Sequence, residues 1–159
     1  MLAGNQPPKR ILVRGVNWLG DAVMTTPALM RLREALPDAK IVLLTHEKLA
    51  GLWPCHPALD GLITFSPAES PWRIGRRLRA GLFDLSLVLP NSPRSALEVW
   101  LGRIPERVGY ARSWRNWWLT RTVPLPAETV PMHPRSVRHV RRAIRRSQPA
   151  SIPPITTAA

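Results

Sequence analysis

The chain has few of the residues that define several common protein classes. One cysteine, Cys55, in 159 residues allows neither a disulfide framework nor a cysteine-rich metal site. No apolar run approaches the ~20 residues of a membrane span, and no signal-peptide pattern opens the sequence. Acidic residues are also scarce, 10 against 23 basic ones, whereas the hydrophobic content of 45% excludes wholesale disorder. We therefore expect a soluble, cytoplasmic protein with an anionic partner.

The shortage of acidic residues is greatest near the C-terminus. Residues 129–159 hold six arginines and no acid, a net charge of +6, whereas residues 1–128 carry +7. The same tail contains five prolines, and a composition of this kind does not pack a core. We therefore place a domain boundary at residue 128 and expect residues 129–159 to be disordered or partly helical.

Short apolar runs alternate with helical patterns between residues 10 and 110. The runs predict buried strands at residues 11–13, 41–45, 62–65, 83–89 and 107–110. The patterns between them predict helices at residues 47–52, 71–82 and 95–101. This alternation is typical of βαβ units, so the expected fold is α/β, a Rossmann-like parallel sheet with helices on both faces.

The first helix has two interpretations. Thr26 followed by Pro27 is a typical helix entry, with Thr26 as the cap. Alternatively the helix begins at Asp21 and Pro27 kinks it. In both cases Pro37 ends it.

Ligands of parallel sheets bind beyond the carboxyl ends of the strands, which here directs attention to residues 15–21 and 90–94. The first of these loops is not a nucleotide-phosphate loop, because Asp21 stands where a P-loop has lysine. Asp21 has two physical uses, as a helix N-cap or as a general base at the sheet edge. Local sequence favours the cap.

Several segments of residues 9–126 resemble one known enzyme family in their order and spacing. They are Ile11-Leu12-Val13-Arg14, Trp18-Leu19-Gly20-Asp21, Pro27-Ala28-Leu29, Pro37-Asp38-Ala39-Lys40-Ile41, Pro57-Ala58-Leu59-Asp60, Phe83–Ser92 and Arg107-Val108-Gly109-Tyr110. The family is that of the lipopolysaccharide heptosyltransferases, and the resemblance is greater to heptosyltransferase II than to heptosyltransferase I. It covers the N-terminal domain of the family only.

The resemblance implies the N-terminal half of a GT-B glycosyltransferase, which binds the acceptor. In this family the acceptor is the anionic lipopolysaccharide inner core, and the donor, ADP-L-glycero-D-manno-heptose, binds a C-terminal domain. Transfer inverts the anomeric carbon and needs no metal or other cofactor. The family's proposed base falls on Asp21. Asn17 and Gly20 would shape the acceptor pocket, while Asn91 and Arg94 would contact the acceptor. From the residues alone, Asn91 is equally explained as a turn-forming residue after Pro90, and Arg94 is better explained as a solvated side chain.

The resemblance fades beyond residue 133, where the family's donor domain would begin. We therefore expect a truncated or split enzyme that is inactive by itself, because transfer requires donor and acceptor to be held together. Two alternatives stay open. The chain would be a non-catalytic module for anionic glycolipids, or a weak nucleic-acid binder through its basic tail, although no specific nucleic-acid motif is present.

Two further segments have a functional and a structural interpretation. The basic helix at residues 71–82 places Arg73, Arg76 and Arg77 on one face, as in helices that lie on anionic membranes, and such a peripheral position at the inner membrane suits the family. From sequence alone, an ordinary surface helix with a solvated arginine face is the commoner case. Residues 112–121 interleave arginine with tryptophan, which indicates either an exposed stacking surface or, as we prefer, a packed core covered by arginine stems.

Overall fold

The computed structural model describes residues 7–124, so the predicted boundary at residue 128 and the tail lie outside the described residues. One parallel sheet has the strand order β3-β2-β1-β4-β5-β6. Its strands are β1 (Arg10–Arg14), β2 (Lys40–His46), β3 (Gly61–Phe65), β4 (Leu85–Val88), β5 (Glu106–Tyr110) and β6 (Arg121–Val123). The predicted α/β, Rossmann-like fold is confirmed. The three-residue strand β6 was not predicted.

The helices cover both faces of the sheet. They are α1 (Leu19–Ala35), α2 (Pro71–Ala80) and α3 (Pro93–Leu101), with 3₁₀ helices at Glu47–Leu52 and Asn116–Trp118. Successive side chains of a strand point to opposite faces, and β1 shows this directly. Ile11 and Val13 pack into the core beneath α1, whereas Leu12 packs into the core beneath α2 and α3. A sheet that is covered by helices on both faces requires apolar residues on both faces.

The first helix begins earlier than either interpretation placed it. Its cap is Trp18, whose side chain makes no capping hydrogen bond, so Thr26 is not the cap. Asp21 is not the cap either, because it lies in the first helical turn. Pro27 sits inside the helix, where its ring nitrogen has no proton to donate to the preceding turn. The predicted end before Pro37 is confirmed.

Helices α2 and α3 begin at a serine cap followed by proline. The Ser70 hydroxyl accepts a hydrogen bond from the Arg73 N–H, and the Ser92 hydroxyl accepts one from the Ser95 N–H. The two helices pack closely because Gly75 lets α2 approach the end of α3. Within residues 7–124, no helix is long and apolar enough to cross a membrane.

Candidate functional site

A cavity of about 440 Å³ opens at the carboxyl ends of β1, β4 and β5, where the sheet topology predicts a ligand site. Most of its lining is apolar. Among the polar side chains that line it are Asn17, Asp21, Asn91, Ser92 and Tyr110. The fold thus brings three of the five predicted site residues, Asn17, Asp21 and Asn91, into one cavity from two separate segments of the chain.

Asp21 presents a carboxylate without a protein partner to this cavity. It lies in the first turn of α1, is half-buried, and makes no hydrogen bond or ion pair with any residue among 7–124. It is also the single acidic side chain among the described cavity residues. Because Trp18 occupies the N-cap position, the Asp21 carboxylate does not cap the helix. Its position therefore suits proton transfer from a bound hydroxyl.

Asn17 is held in place by a buried arginine. Nη1 of Arg14 donates to Asn17 Oδ1 at 3.1 Å and to the Gly15 carbonyl at 2.6 Å. Arg14 is 1% exposed, and its guanidinium lies 4.3 Å from the centre of the Phe65 ring. Burial lowers the pKa of Arg14, an effect that the charge of Glu98 partly offsets. The loop before Asp21 is thus tied to the end of β1.

Asn91 follows β4 and is exposed at the rim of the cavity. Its Oδ1 accepts a hydrogen bond of 3.3 Å from Nη1 of Arg115, which also donates to the Pro90 carbonyl at 2.5 Å. Arg115 is completely buried. Asn91 is therefore more than a turn-forming residue, because a buried cation fixes its side chain.

The remaining two predicted site residues lie outside the cavity lining. A Cβ on Gly20 would meet no atom within 4 Å, so the fold itself does not require glycine there. Arg94 donates to the carbonyls of Pro67 and Glu69 and to the Glu98 carboxylate, which fastens α3 to the segment before α2. Acceptor contact by Gly20 and Arg94 stays a prediction, and the contacts of Arg94 favour a structural role.

Sequence reasoning did not single out Arg14, Glu98 or Tyr110. Tyr110 lines the cavity at the end of β5, and burial raises its pKa. Arg14 interrupts an apolar strand directly before a glycine, and a charged residue at such a position is a signal of a buried ion pair. Its partner Glu98 lies far along the chain, so the pair becomes visible only in the fold.

The interpretation of residues 112–121 as a core covered by arginine stems is wrong. Trp114 is 84% exposed and Trp117 is 88% exposed, whereas Arg115 is buried. Trp118 alone of the three tryptophans packs against the core. Arg115, which was expected to cover this segment, is instead buried beneath it.

The basic helix α2 follows its predicted pattern in part. Ile74 and Leu78 are buried, but Trp72 is 68% exposed and Leu82 lies beyond the end of the helix. Arg77 is paired with Glu69, while Arg73 and Arg76 face solvent. Among residues 7–124, no three metal-ligating side chains cluster together.

No protein-family model matches the chain. Individual proteins nevertheless resemble it in sequence and in fold. Lipooligosaccharide heptosyltransferase 2 of Haemophilus ducreyi is 29% identical over 106 residues, which are 64% of this chain and 30% of that protein. The structure of E. coli ADP-heptose LPS heptosyltransferase II is 30% identical with a TM-score of 0.72, covering 82% of this chain and 40% of that one. A glycosyl transferase family 9 structure from Veillonella parvula is 25% identical with a TM-score of 0.75, covering 84% and 41%.

The matches cover only part of each relative. The chain spans between 30% and 37% of the length of the curated relatives that it matches, all of which are heptosyltransferases 2. The two structures named above are GT-B glycosyltransferases, and the Rossmann-like sheet of this chain matches 40% and 41% of their lengths.

Proposed function

The chain is a homologue of the lipopolysaccharide heptosyltransferases, and from this we propose that it forms the acceptor-binding half of such an enzyme. The proposed reaction transfers heptose from ADP-heptose to a hydroxyl group of the lipopolysaccharide inner core, with inversion at the anomeric carbon. The single observation that carries the proposal is the unpartnered carboxylate of Asp21 in the cavity.

Asp21 is the general base of the proposed step. Its carboxylate accepts the proton of the acceptor hydroxyl as that oxygen forms a bond to the anomeric carbon. The bond between this carbon and the diphosphate breaks at the same time, and ADP leaves with the electron pair. The proton then passes from Asp21 to water, which restores the carboxylate. Asn17 and Asn91, each fixed by a buried arginine, orient the acceptor.

The donor in this proposal binds a part of the enzyme that residues 7–124 do not include. Holding donor and acceptor in the correct relative orientation supplies a large share of the rate enhancement of a transferase. We therefore propose that this chain by itself binds the acceptor and shows little transfer. Transfer appears when a donor-binding half is supplied in the same or another polypeptide.

The proposed place of action is the cytoplasmic surface of the inner membrane, where a lipid-linked acceptor is within reach. The exposed Trp72 lies beside Arg73 and Arg76 on α2, a combination that suits an anionic interface. Sedimentation with vesicles tests this proposal. Binding to anionic but not neutral vesicles is expected, and Trp72→Ala should weaken it.

Acceptor binding by the chain alone is the test of the proposed function. Titration of the ¹⁵N-labelled protein with lipopolysaccharide core oligosaccharide should shift the signals of Asn17, Asp21 and Asn91 together and saturably. Asp21→Asn should retain this binding. Binding with no transfer in the presence of a donor half would instead indicate a glycolipid-binding module. Association with duplex nucleic acid that falls steeply with salt, and no acceptor binding, would indicate a nucleic-acid binder.

A further inference from the structure

Arg115 is a buried cation with no anionic partner among residues 7–124. Its side chain is 0% exposed, and within residues 7–124 neither its Nε nor its Nη2 has a hydrogen-bond partner. Its two hydrogen bonds, both from Nη1, go to uncharged oxygens of Pro90 and Asn91. Burial, and to a smaller degree the charge of Arg112, lowers the pKa of Arg115. Buried charges are normally paired with an opposite charge, and residues 7–124 supply none to Arg115.

The guanidinium lies directly behind the cavity wall. Pro90, Asn91 and Gly109 all line the cavity, and a Cβ on Gly109 would lie 2.7 Å from Arg115 Nη2. The glycine therefore leaves room for the arginine between β5 and the loop after β4. The positive charge acts on the cavity across a single layer of residues.

The arginine also determines which way the Asn91 amide faces. A guanidinium only donates hydrogen bonds, so the Asn91 atom beside it must be the oxygen. The two N–H bonds of Asn91 Nδ2 then point away from Arg115, and no residue among 7–124 accepts from them. Asn91 thus offers the two N–H donors of its amide at an exposed rim.

We propose that Asn91 and Arg115 form an anion subsite of the cavity, in which Asn91 donates to a carboxylate or phosphate oxygen of a sugar ligand. Arg115 is the positioning residue, because it fixes the Asn91 amide and supplies the opposite charge. The inference rests on the proposed function in that the sugar is part of the acceptor.

Three sugars that differ in one group test the subsite in the full-length chain. Glucuronate carries a carboxylate, glucose 6-phosphate a phosphate, and glucose no charge. The Asn91 side-chain amide signal should shift saturably with at least one charged sugar, with a Kd at least about tenfold below that for glucose. The charged sugar with the lower Kd identifies the group that the subsite takes. Equal response to all three sugars, or none, would overturn the proposal.

Asn91→Asp separates this role from a merely structural one. The new carboxylate pairs with Arg115, so the Tm should rise by about 4 °C or more, while anion binding weakens at least about tenfold. Lys40→Gln is the control, because it changes net charge equally at the amino end of β2 and should leave binding within about twofold. A fall in Tm, or unchanged anion binding, in Asn91→Asp would contradict the assignment. Anion binding without binding of the core oligosaccharide would keep the subsite and remove the acceptor assignment.

Discussion

The carboxylate of Glu98 accepts a hydrogen bond from Nε of Arg14 at 2.8 Å, and solvent reaches 2% of the arginine side chain and none of the glutamate. The pair joins the end of β1 to α3 across one face of the sheet. Through Nη1, the same arginine holds Asn17. One buried ion pair therefore connects the packing of a helix to the loop that precedes Asp21.

Removing one partner of this pair should destabilise the fold strongly. Glu98→Leu leaves the Arg14 charge buried without compensation, and we expect a loss of about 3–5 kcal/mol in the free energy of unfolding. Urea denaturation measures it. The double variant Arg14→Met with Glu98→Leu buries no charge and should recover most of the loss. A double variant as unstable as Glu98→Leu alone would show that the pair does not act as a unit.

Gly75 should not tolerate a side chain. A Cβ there would lie 2.5 Å from the Leu101 Cβ, so Gly75→Ala must push α2 and α3 apart. The steric cost of about 1–3 kcal/mol exceeds the gain in helix propensity of at most about 1 kcal/mol. Thermal unfolding should show a lower Tm. Gly51→Ala is the matched control, because a Cβ at Gly51 meets no atom within 4 Å.

Gly20 should show the opposite behaviour. Its surroundings are open, and it lies in the first turn of α1, so Gly20→Ala should raise the free energy of unfolding by about 0.5–1 kcal/mol. If the acceptor approaches the backbone here, the same methyl group should weaken its binding about tenfold. Acceptor titration of the variant decides this. Unchanged binding would remove Gly20 from the site.

Asp60 should contribute to stability at neutral pH and lose its contribution in acid. Burial alone raises its pKa, but hydrogen bonds from the Ile41 N–H and the Arg33 side chain, together with the Arg33 and Lys40 charges, lower it below its usual value. The folded state therefore binds this proton more weakly than the unfolded state. The stabilisation is present above the unfolded pKa of about 3.9 and disappears as the pH falls through the folded pKa.

The effect should be small, because the Asp60 side chain is 41% exposed, and we expect less than about 1 kcal/mol. Denaturation curves between pH 7 and pH 2 test it. Asp60→Asn should be less stable at pH 7 and should lose less stability toward pH 2. Asp38→Asn, at an exposed turn residue, is the matched control for the loss of one carboxylate.

Local patterns were sufficient to predict five of the six strands but not the contacts of the site. The buried strands around Ile11 and Ile41 are continuous apolar runs, and such runs predict strands covered on both faces. The entry of α2 was predicted from Pro71, where the serine–proline pair supplies the cap. The start of α1 was missed because the strong local signal of Thr26 and Pro27 lies inside a helix that already begins at Leu19.

The polar contacts of the site depend on long-range neighbours. Asn17, Asp21 and Asn91 were predicted from the family resemblance, in the two loops that the sheet topology indicates, but the arginines that fix the two asparagines were not predicted. The sequence predicted Arg115 to be one of the arginines that cover packed tryptophans, and only the fold places its guanidinium beside Asn91. Sequence spacing does not reveal which of 20 arginines is buried, because burial is decided by strands that are distant in sequence.

The measurement that tests the account most directly is heptose transfer by a complete site. The chain is fused to the part of E. coli heptosyltransferase II that it does not match, and transfer from ADP-heptose to core oligosaccharide is followed. The account predicts transfer by the fusion, a loss of about 10²-fold or more in Asp21→Asn with acceptor binding retained, and near-normal transfer in the matched control Asp38→Asn. Transfer by Asp21→Asn at the rate of the control, or no transfer by a fusion that binds both substrates, would contradict it.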